Sequence, residues 1–134
     1  MDKERRPPIR RERTGPPATA ELLTLVEKSL DDDKAEDIVV IDLAGKTDIA
    51  DFMVIANGRS QRQIGTMADH LQRKLKAKGM KGIAAEGIGN CDWVLIDAGD
   101  VIVHLFRPEI RDFYNLDKMW MDAPKREPQQ GLTA

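Results

Sequence analysis

The sequence contains only one cysteine, Cys91, and no long apolar run. A single thiol excludes an internal disulfide framework and cannot supply a cysteine-based metal site. No apolar run approaches the roughly 20 residues of a membrane-spanning helix. The N-terminus lacks the apolar core of a secretory signal, and its acidic residues argue against an organelle transit peptide. With a length of 134 residues, these absences predict one soluble, cytosolic domain.

Charge is divided unevenly between the tails and the body of the chain. Removing the eight basic and four acidic residues of the tails (1–18 and 123–134) from the totals of 21 and 23 leaves 13 basic and 19 acidic residues, a net charge of −6. An acidic body is a poor surface for DNA, because phosphate binding needs clustered Lys and Arg. It suits a basic protein partner better.

The folded domain is predicted to span residues 19–122. Residues 1–18 are rich in Arg, Pro and charge and carry almost nothing that a core could bury, so this basic tail is predicted to be disordered. The segment 123–134 is predicted to be a second disordered tail. Contact of the basic tail with RNA is an open alternative, although solvated charge runs are commoner.

Two amphipathic helices are predicted from apolar residues at helical spacing. The first covers residues 19–31, with Thr19 as its N-cap. The second follows Ser60, which forms a capping box with Gln63. It ends before Gly79, which suits a left-handed cap.

Five strands and a last helix complete the predicted fold. Residues 38–41 and 52–56 are short, continuously apolar runs, typical of strands buried on both faces. The connection between them is too short for a helical crossover, so the pair is predicted to be antiparallel. A short strand at 82–86 leads into a hairpin over 93–106, and a helix follows over 108–120. The order predicts a single α/β domain with a mixed five-stranded sheet flanked by helices.

The hairpin is predicted to turn at Ala98-Gly99, because a two-residue loop containing glycine is a strong hairpin signal. That turn would place Asp97 opposite Asp100 and Trp93 opposite His104. Side chains alternate between faces. One face then carries Trp93, Leu95, Ile102, His104 and Phe106, and the other carries Val94, Ile96, Val101, Val103 and Leu105. The second face is purely aliphatic and indicates core, whereas the first is either a half-covered core face or a docking surface.

The candidates for catalysis do not converge on a catalytic set. The turn at residues 58–60 resembles a phosphate-binding turn, but it lacks the Lys-Ser/Thr pair of a P-loop and the three glycines of a dinucleotide fingerprint. No Asp-x-Asp pair follows it, as a nucleotidyltransferase would need for its metal ions. A thiol–imidazole pair of Cys91 and His104 has no third orienting group. The acids at residues 31–33 indicate a solvated helix end, and no metal or cofactor is predicted.

Several motifs, in the same order, resemble the ribosomal silencing factor family, also called Iojap-like. They are DFMVIANGRS (51–60), EG (86–87), DWVLID (92–97), GDVIVH (99–104) and RDFYNLDKMW (111–120). The resemblance covers about residues 21–120, the whole predicted domain. The departures are small, since Phe113 precedes Tyr114 where relatives vary and Asp117 stands where Glu is common.

The resemblance implies a nucleotidyltransferase-like α/β fold without catalytic activity. It also implies a translational repressor that binds a basic protein of the large ribosomal subunit, large-subunit protein fourteen, and prevents the subunits from joining when nutrients are scarce. A homodimer is a further implication. The alternative is a degenerate, nucleotidyltransferase-like nucleotide-binding protein, which the Gly-Arg-Ser turn at 58–60 would favour.

The predicted partner-binding site is centred on the aromatic face of the hairpin. Trp93 is the predicted anchor, because Trp, Tyr and Arg dominate interface hot spots. The acids near it would attract a basic partner. The full set is Glu86, Asp92, Trp93, Leu95, Asp97, Ile102, His104 and Tyr114. In the alternative interpretation, Trp93 lies under the last helix and serves stability alone.

Overall fold

The computed structural model describes residues 18–121, which form four helices and five strands. The elements in chain order are α1 (Thr19–Asp32), β1 (Glu36–Asp42), β2 (Phe52–Asn57), α2 (Gln61–Ala77), β3 (Ala84–Glu86), β4 (Trp93–Asp97), β5 (Val101–Phe106), α3 (Pro108–Tyr114) and α4 (Leu116–Met121). The predicted disordered tails, 1–18 and 123–134, lie outside the described residues except for Ala18. No helix of residues 18–121 is long and apolar enough to cross a membrane.

The five strands form one mixed sheet in the order β1-β2-β5-β4-β3. β2 and β5 run parallel, and the other three neighbouring pairs are antiparallel. The predicted antiparallel pairing of the first two strands is therefore confirmed. So is the predicted fold class, a single α/β domain with a mixed five-stranded sheet and flanking helices.

Helices cover both faces of the sheet, and each face has its own apolar cluster. The larger cluster joins α1 and α2 to the aliphatic face of the hairpin, including Val94, Ile96 and Val103, all fully buried. The smaller cluster lies under α3 and α4 and includes Phe106, with Trp93 packed against it. The aliphatic face is thus core, as predicted, and the aromatic face is covered only in part.

The α2 helix begins and ends as its sequence predicts, with one change. The Ser60 hydroxyl accepts a hydrogen bond from the backbone N–H of Gln63 at 3.0 Å. The Gln63 side chain reaches one residue further back than in a standard capping box and accepts from the backbone N–H of Arg59 at 2.7 Å. At the other end, Gly79 has a positive φ of 92°. The N–H of Met80 bonds the carbonyl of Leu75 at 3.1 Å, which completes a Schellman motif.

The predicted cap of α1 is wrong. Thr19 is the first helical residue, and the N-cap Ala18 makes no side-chain capping bond. The Thr19 hydroxyl instead donates to the carboxylate of Asp100 at 2.8 Å, across the domain at the hairpin turn. The Thr19 hydroxyl therefore bonds a residue 81 positions away in sequence, and no local pattern indicates this partner.

The hairpin turns one residue later than predicted. Ala98 N–H bonds the carbonyl of Val101 at 3.0 Å, so Gly99-Asp100 is the two-residue loop, with Gly99 at φ 84°. Trp93 therefore lies opposite Phe106, and Leu95 lies opposite His104. The glycine takes the first central position of the turn, where a positive φ is needed. Each side chain still lies on its predicted face of the sheet, because the pairing is shifted by two residues and side chains alternate with period two.

The predicted last helix over 108–120 is two short helices. Asn115 adopts the left-handed conformation with φ 49°, which ends α3 and starts a new direction for α4. Asparagine tolerates this conformation better than most residues. The break brings Asp117 back to Arg111, whose guanidinium donates to that carboxylate at 2.9 Å.

Candidate functional site

The aromatic face of the hairpin borders an open cleft. This cleft has a volume of about 360 Å³ and is lined by Glu86, Gly87, Trp93 and Leu95. Trp93 and Leu95 are half-buried, and Glu86 is exposed. Ile102 is half-buried on the same face of the neighbouring strand. We call this surface, made of Glu86, Trp93, Leu95, Asp97, Ile102 and the neighbouring Tyr114, the hairpin face.

The indole of Trp93 is fixed by a hydrogen bond to a buried histidine. Its Nε1–H donates to Nδ1 of His104 at 2.9 Å, and His104 is only 7% exposed. An acceptor Nδ1 requires a neutral imidazole with its proton on Nε2. Burial lowers the pKa of His104 to about 4, which keeps the ring neutral at physiological pH.

Acidification is expected to weaken the fold through His104. Its pKa is about 4 when folded against 6.5 for the free side chain. The unfolded chain therefore binds the proton more readily, and stability falls as pH drops through this window. We expect a loss of about 2 kcal/mol at pH 5 relative to pH 7.5 from this residue. Chemical unfolding at the two pH values measures it.

The control for this pH dependence is His104→Asn, whose side-chain oxygen replaces the Nδ1 acceptor and does not titrate. The remaining titratable groups are the same in both proteins. The difference between their pH profiles of unfolding free energy therefore comes from the His104 imidazole. Equal losses of unfolding free energy in the two proteins would refute the assigned protonation.

Two further aromatic rings contact Trp93. Its ring centroid lies 4.9 Å from that of Phe106, which is fully buried, and 4.8 Å from that of Tyr114 at the end of α3. Tyr114 is 49% exposed, and Phe113 beside it is 79% exposed. Trp93 packs against the core through Phe106, and it also lines the cleft. The interpretation of Trp93 as a residue that serves stability alone is thus not complete, and its role as an anchor stays a prediction.

Gly87 shapes the floor of the cleft. Its φ is 86°, and a Cβ added there would lie 2.1 Å from the carbonyl oxygen of Trp93. Only glycine lets the two backbones approach this closely. The sequence motif Glu-Gly at 86–87 marked the position, but the contact with Trp93 could not be deduced from it.

The three predicted acids occupy different environments. Glu86 is exposed at the cleft, directly opposite Leu95 in the sheet. Asp97 is exposed at the hairpin end, and its carboxylate accepts from the backbone N–H of Gly99 at 2.9 Å, as a turn-forming acid does. Asp92 instead pairs with Arg107 at 3.1 Å and accepts from Gln61 of α2 at the same distance. Asp92 thus ties the hairpin to α2.

The structure gives other roles to the candidates for chemistry. The Cys91 thiol donates to the carbonyl of Ile88 at 2.9 Å and packs in the cluster under α2, whereas His104 bonds Trp93. At Gly58, a Cβ would come within 2.5 Å of Ile64, so close packing of α2 explains this glycine. Within residues 18–121, no three His, Cys, Asp or Glu side chains group as a metal site.

Arg111 is a buried hub that the sequence analysis did not single out. It is 7% exposed, and one guanidinium nitrogen donates to the carbonyl of Asp37 at 2.7 Å and to the side-chain oxygen of Asn57 at 2.8 Å. The other binds Asp117. Burial tends to raise the pKa of Asp117, but hydrogen bonds from Arg111 and its own backbone, with the attraction of the guanidinium, hold that pKa below its ordinary value.

Comparison with known proteins supports the family suggested by the motifs. The model of the family described as "Ribosomal silencing factor during starvation" matches residues 16–134. A ribosomal silencing factor from Zymomonas mobilis subsp. mobilis is 58% identical over 99 residues, which are 74% of this chain and 74% of that protein. The chain belongs to the ribosomal silencing factor family.

Two further relatives of this ribosomal silencing factor extend the comparison. A crystal structure of a Chromobacterium violaceum protein superimposes with a TM-score of 0.76 at 35% identity, covering 84% of this chain and 91% of that one. A mouse protein named "Mitochondrial assembly of ribosomal large subunit protein 1" is 33% identical over 91 residues, 66% of this chain and 40% of the mouse protein. The family is regulatory and not enzymatic, so the chain has a ribosome-associated silencing role.

Proposed function

We propose that this silencing factor binds a basic protein of the large ribosomal subunit, of the type of large-subunit protein fourteen, through its hairpin face. Bound there, it prevents the small subunit from joining, in the cytoplasm and under nutrient limitation. The observation that carries the proposal is the half-exposed Trp93 beside an open cleft with an acidic rim. The name of the mouse relative, which refers to the large subunit, supports the choice of subunit.

The apolar part of the hairpin face provides the binding energy in this proposal. Trp93 and Leu95 line the cleft, and Tyr114 is 49% exposed next to them. Trp and Tyr are enriched among hot-spot residues, because they bury a large rigid area at low entropic cost. The bond to His104 and the contact with Phe106 hold the indole in place before binding. Such preorganisation reduces the ordering cost of association.

The acidic part of the face provides steering toward a basic partner. Glu86 and Asp97 are exposed on the same side of the sheet as Leu95, and the body of the chain has a net charge of −6. Opposite charges raise the rate of productive encounter and suppress wrong partners. The silencing itself is steric, since a domain attached at the subunit interface occupies space that the small subunit needs. Self-association through the same face would compete with this binding.

Reversal of one rim charge is expected to weaken ribosome binding without unfolding the protein. Glu86→Lys places a cation where a basic partner approaches, and we expect about tenfold weaker binding to purified large subunits at low salt. The difference should shrink as salt screens the charges. Sedimentation of the protein with large subunits at two salt concentrations measures it, and a subunit-joining assay with small subunits reads the silencing.

The matched control is Glu27→Lys, which makes the same charge change at an exposed position of α1. It should leave binding within about twofold of wild type, because exposed charges far from an interface are screened. Wild-type protein that does not travel with large subunits, or that leaves subunit joining unchanged, would contradict the proposed function itself.

A further inference from the structure

The two edge strands of the sheet differ in how well they are blocked from pairing with a further strand. The edge strand β1 contains a register irregularity between Glu36 and Val39, with Asp37 at φ 50°, and α4 packs against it. The guanidinium of Arg111 donates a hydrogen bond to the backbone carbonyl of Asp37. Bulges and covering elements are the usual ways to block an edge strand. The edge strand β3 has three residues and a regular pairing with β4.

The hydrogen-bond pattern of the hairpin identifies which β3 groups point outward. Ala98 and Val101 form a bonded pair, and at the other end Arg107 N–H bonds the carbonyl of Asp92 at 3.1 Å. Bonded and non-bonded pairs alternate in an antiparallel ladder. Even-numbered residues of β4 therefore bond β5, and Leu95 and Asp97 bond β3.

Ala85 consequently presents its backbone to the open edge. Glu86 and Ala84 lie opposite Leu95 and Asp97, so their backbone groups bond β4. Ala85 lies between them, and its N–H and C=O point away from the sheet. Among residues 18–121, no group bonds the outer side of Ala85. Its half-buried side chain packs on the α2 side, so Ala84 and Glu86 point to the face of the cleft.

The charges beside this edge restrict its partner. Two exposed acids, Glu86 of β3 and Asp97 of β4, lie on the side of the sheet that carries the cleft. Trp93 and Leu95 of β4 line the cleft itself. An extended segment added along β3 would direct alternate side chains to this same face. Basic and apolar side chains in alternation match the acids and the cleft.

We propose that the edge of β3 binds an extended basic segment of the large-subunit partner as a sixth strand, with backbone bonds to Ala85 and one side chain in the cleft beside Trp93. This inference rests on the proposed function and adds the mode of recognition. Strand addition uses backbone bonds for affinity and side-chain pockets for specificity. The segment is short, because β3 ends at Glu86 and the chain turns away at Gly87, which has φ 86°.

Hydrogen exchange of the wild-type protein tests the backbone bond directly. Deuterium uptake is followed for overlapping peptides that isolate the amide of Ala85, with and without excess purified large subunits. We expect this amide to exchange at least about tenfold more slowly in the complex, since a hydrogen-bonded amide exchanges only on opening. Equal exchange of Ala85 in free and bound protein overturns the strand addition, whatever any variant does.

A proline at this position gives an independent readout. Ala85→Pro removes the outward N–H and leaves the bonds of Ala84 and Glu86 to β4, since proline is tolerated on an edge strand whose N–H faces solvent. We expect about tenfold weaker sedimentation with large subunits. Ala85→Val keeps the N–H and changes only the side chain, so the proline variant is compared with it and should bind about tenfold more weakly than this valine variant. Thermal melts establish that both variants are folded.

The outcomes separate this inference from the proposed function. If wild type binds, the proline variant binds with full affinity and the Ala85 amide is unprotected in the complex, then the sixth strand alone is overturned. No binding of wild type to large subunits overturns both. Protection of Ala85 that grows with the protein's own concentration, without ribosomes, assigns the edge to a second copy of the chain and overturns the inference.

Discussion

Arg111→Ala is expected to lower the free energy of unfolding by about 3–5 kcal/mol, as loss of one partner from a buried ionic network does. The guanidinium holds the carbonyl of Asp37, the amide oxygen of Asn57 and the carboxylate of Asp117. Removing it leaves these acceptors unpaired near a 7% exposed position. Chemical unfolding monitored by tryptophan fluorescence measures the loss.

The comparison that isolates this network is Arg73→Ala. Arg73 makes an i,i+4 ion pair with Asp69, and both side chains are more than half exposed, at 77% and 55%. Exposed pairs of this kind contribute well under 1 kcal/mol. Arg111→Lys should lie between, because one ammonium cannot reproduce the forked geometry. A loss at Arg111 no larger than that at Arg73 would show that the hub carries no stability.

This hub was not predictable from sequence, because its parts come from distant positions. Arg111 is 54 residues from Asn57 and 74 from Asp37. Helical periodicity predicted the helix that carries Arg111, but a charged residue there has no local sign of burial. The same limit explains the break at Asn115, since a continuous apolar spacing over 108–120 fits one helix. Asn115 tolerates the left-handed turn, and the bond from Arg111 to Asp117 stabilises it.

Local signals were sufficient where an element is determined by its own residues. The second helix has its cap at Ser60, its apolar stripe and Gly79 at its end, and all of these predictions are confirmed. The two faces of the hairpin were also predictable, because a period of two survives a register error of two residues. The cap at Thr19 failed for the opposite reason, since its hydroxyl binds Asp100 far away in sequence.

The candidate site was predictable as a face and not as a set of contacts. Alternation placed Trp93, Leu95 and His104 on one side of the hairpin. The predicted register put Trp93 directly opposite His104. In the structure Phe106 lies opposite Trp93, and the indole bonds His104 as its diagonal neighbour on the next strand.

The position of Trp93 in the structure is compatible with a core residue and with a binding anchor. The ring contacts buried Phe106 and half-exposed Tyr114, and it lines the cleft. Under the proposed function, a residue in this position contributes both to the fold and to binding. Truncation therefore changes two quantities, and only a pair of variants can assign them separately.

Trp93→Ala is expected to cost about 3 kcal/mol of unfolding free energy, because it removes three ring contacts and leaves Nδ1 of His104 without its donor. Domains usually have 5–15 kcal/mol of stability, so the variant should remain folded at room temperature. It should also lose at least about 2 kcal/mol of binding to large subunits, roughly thirtyfold. Chemical unfolding and sedimentation give the two values.

Trp93→Phe distinguishes the two contributions, because phenylalanine keeps a ring against Phe106 and Tyr114 but has no N–H for His104. We expect it to cost about 1–2 kcal/mol of stability for the unpaired imidazole nitrogen, with only a severalfold loss of binding. A full loss of binding in this mildly destabilised variant would mean that the partner recognises the indole specifically. Normal binding by a folded Trp93→Ala would instead restrict Trp93 to the core and move the docking surface away from the cleft.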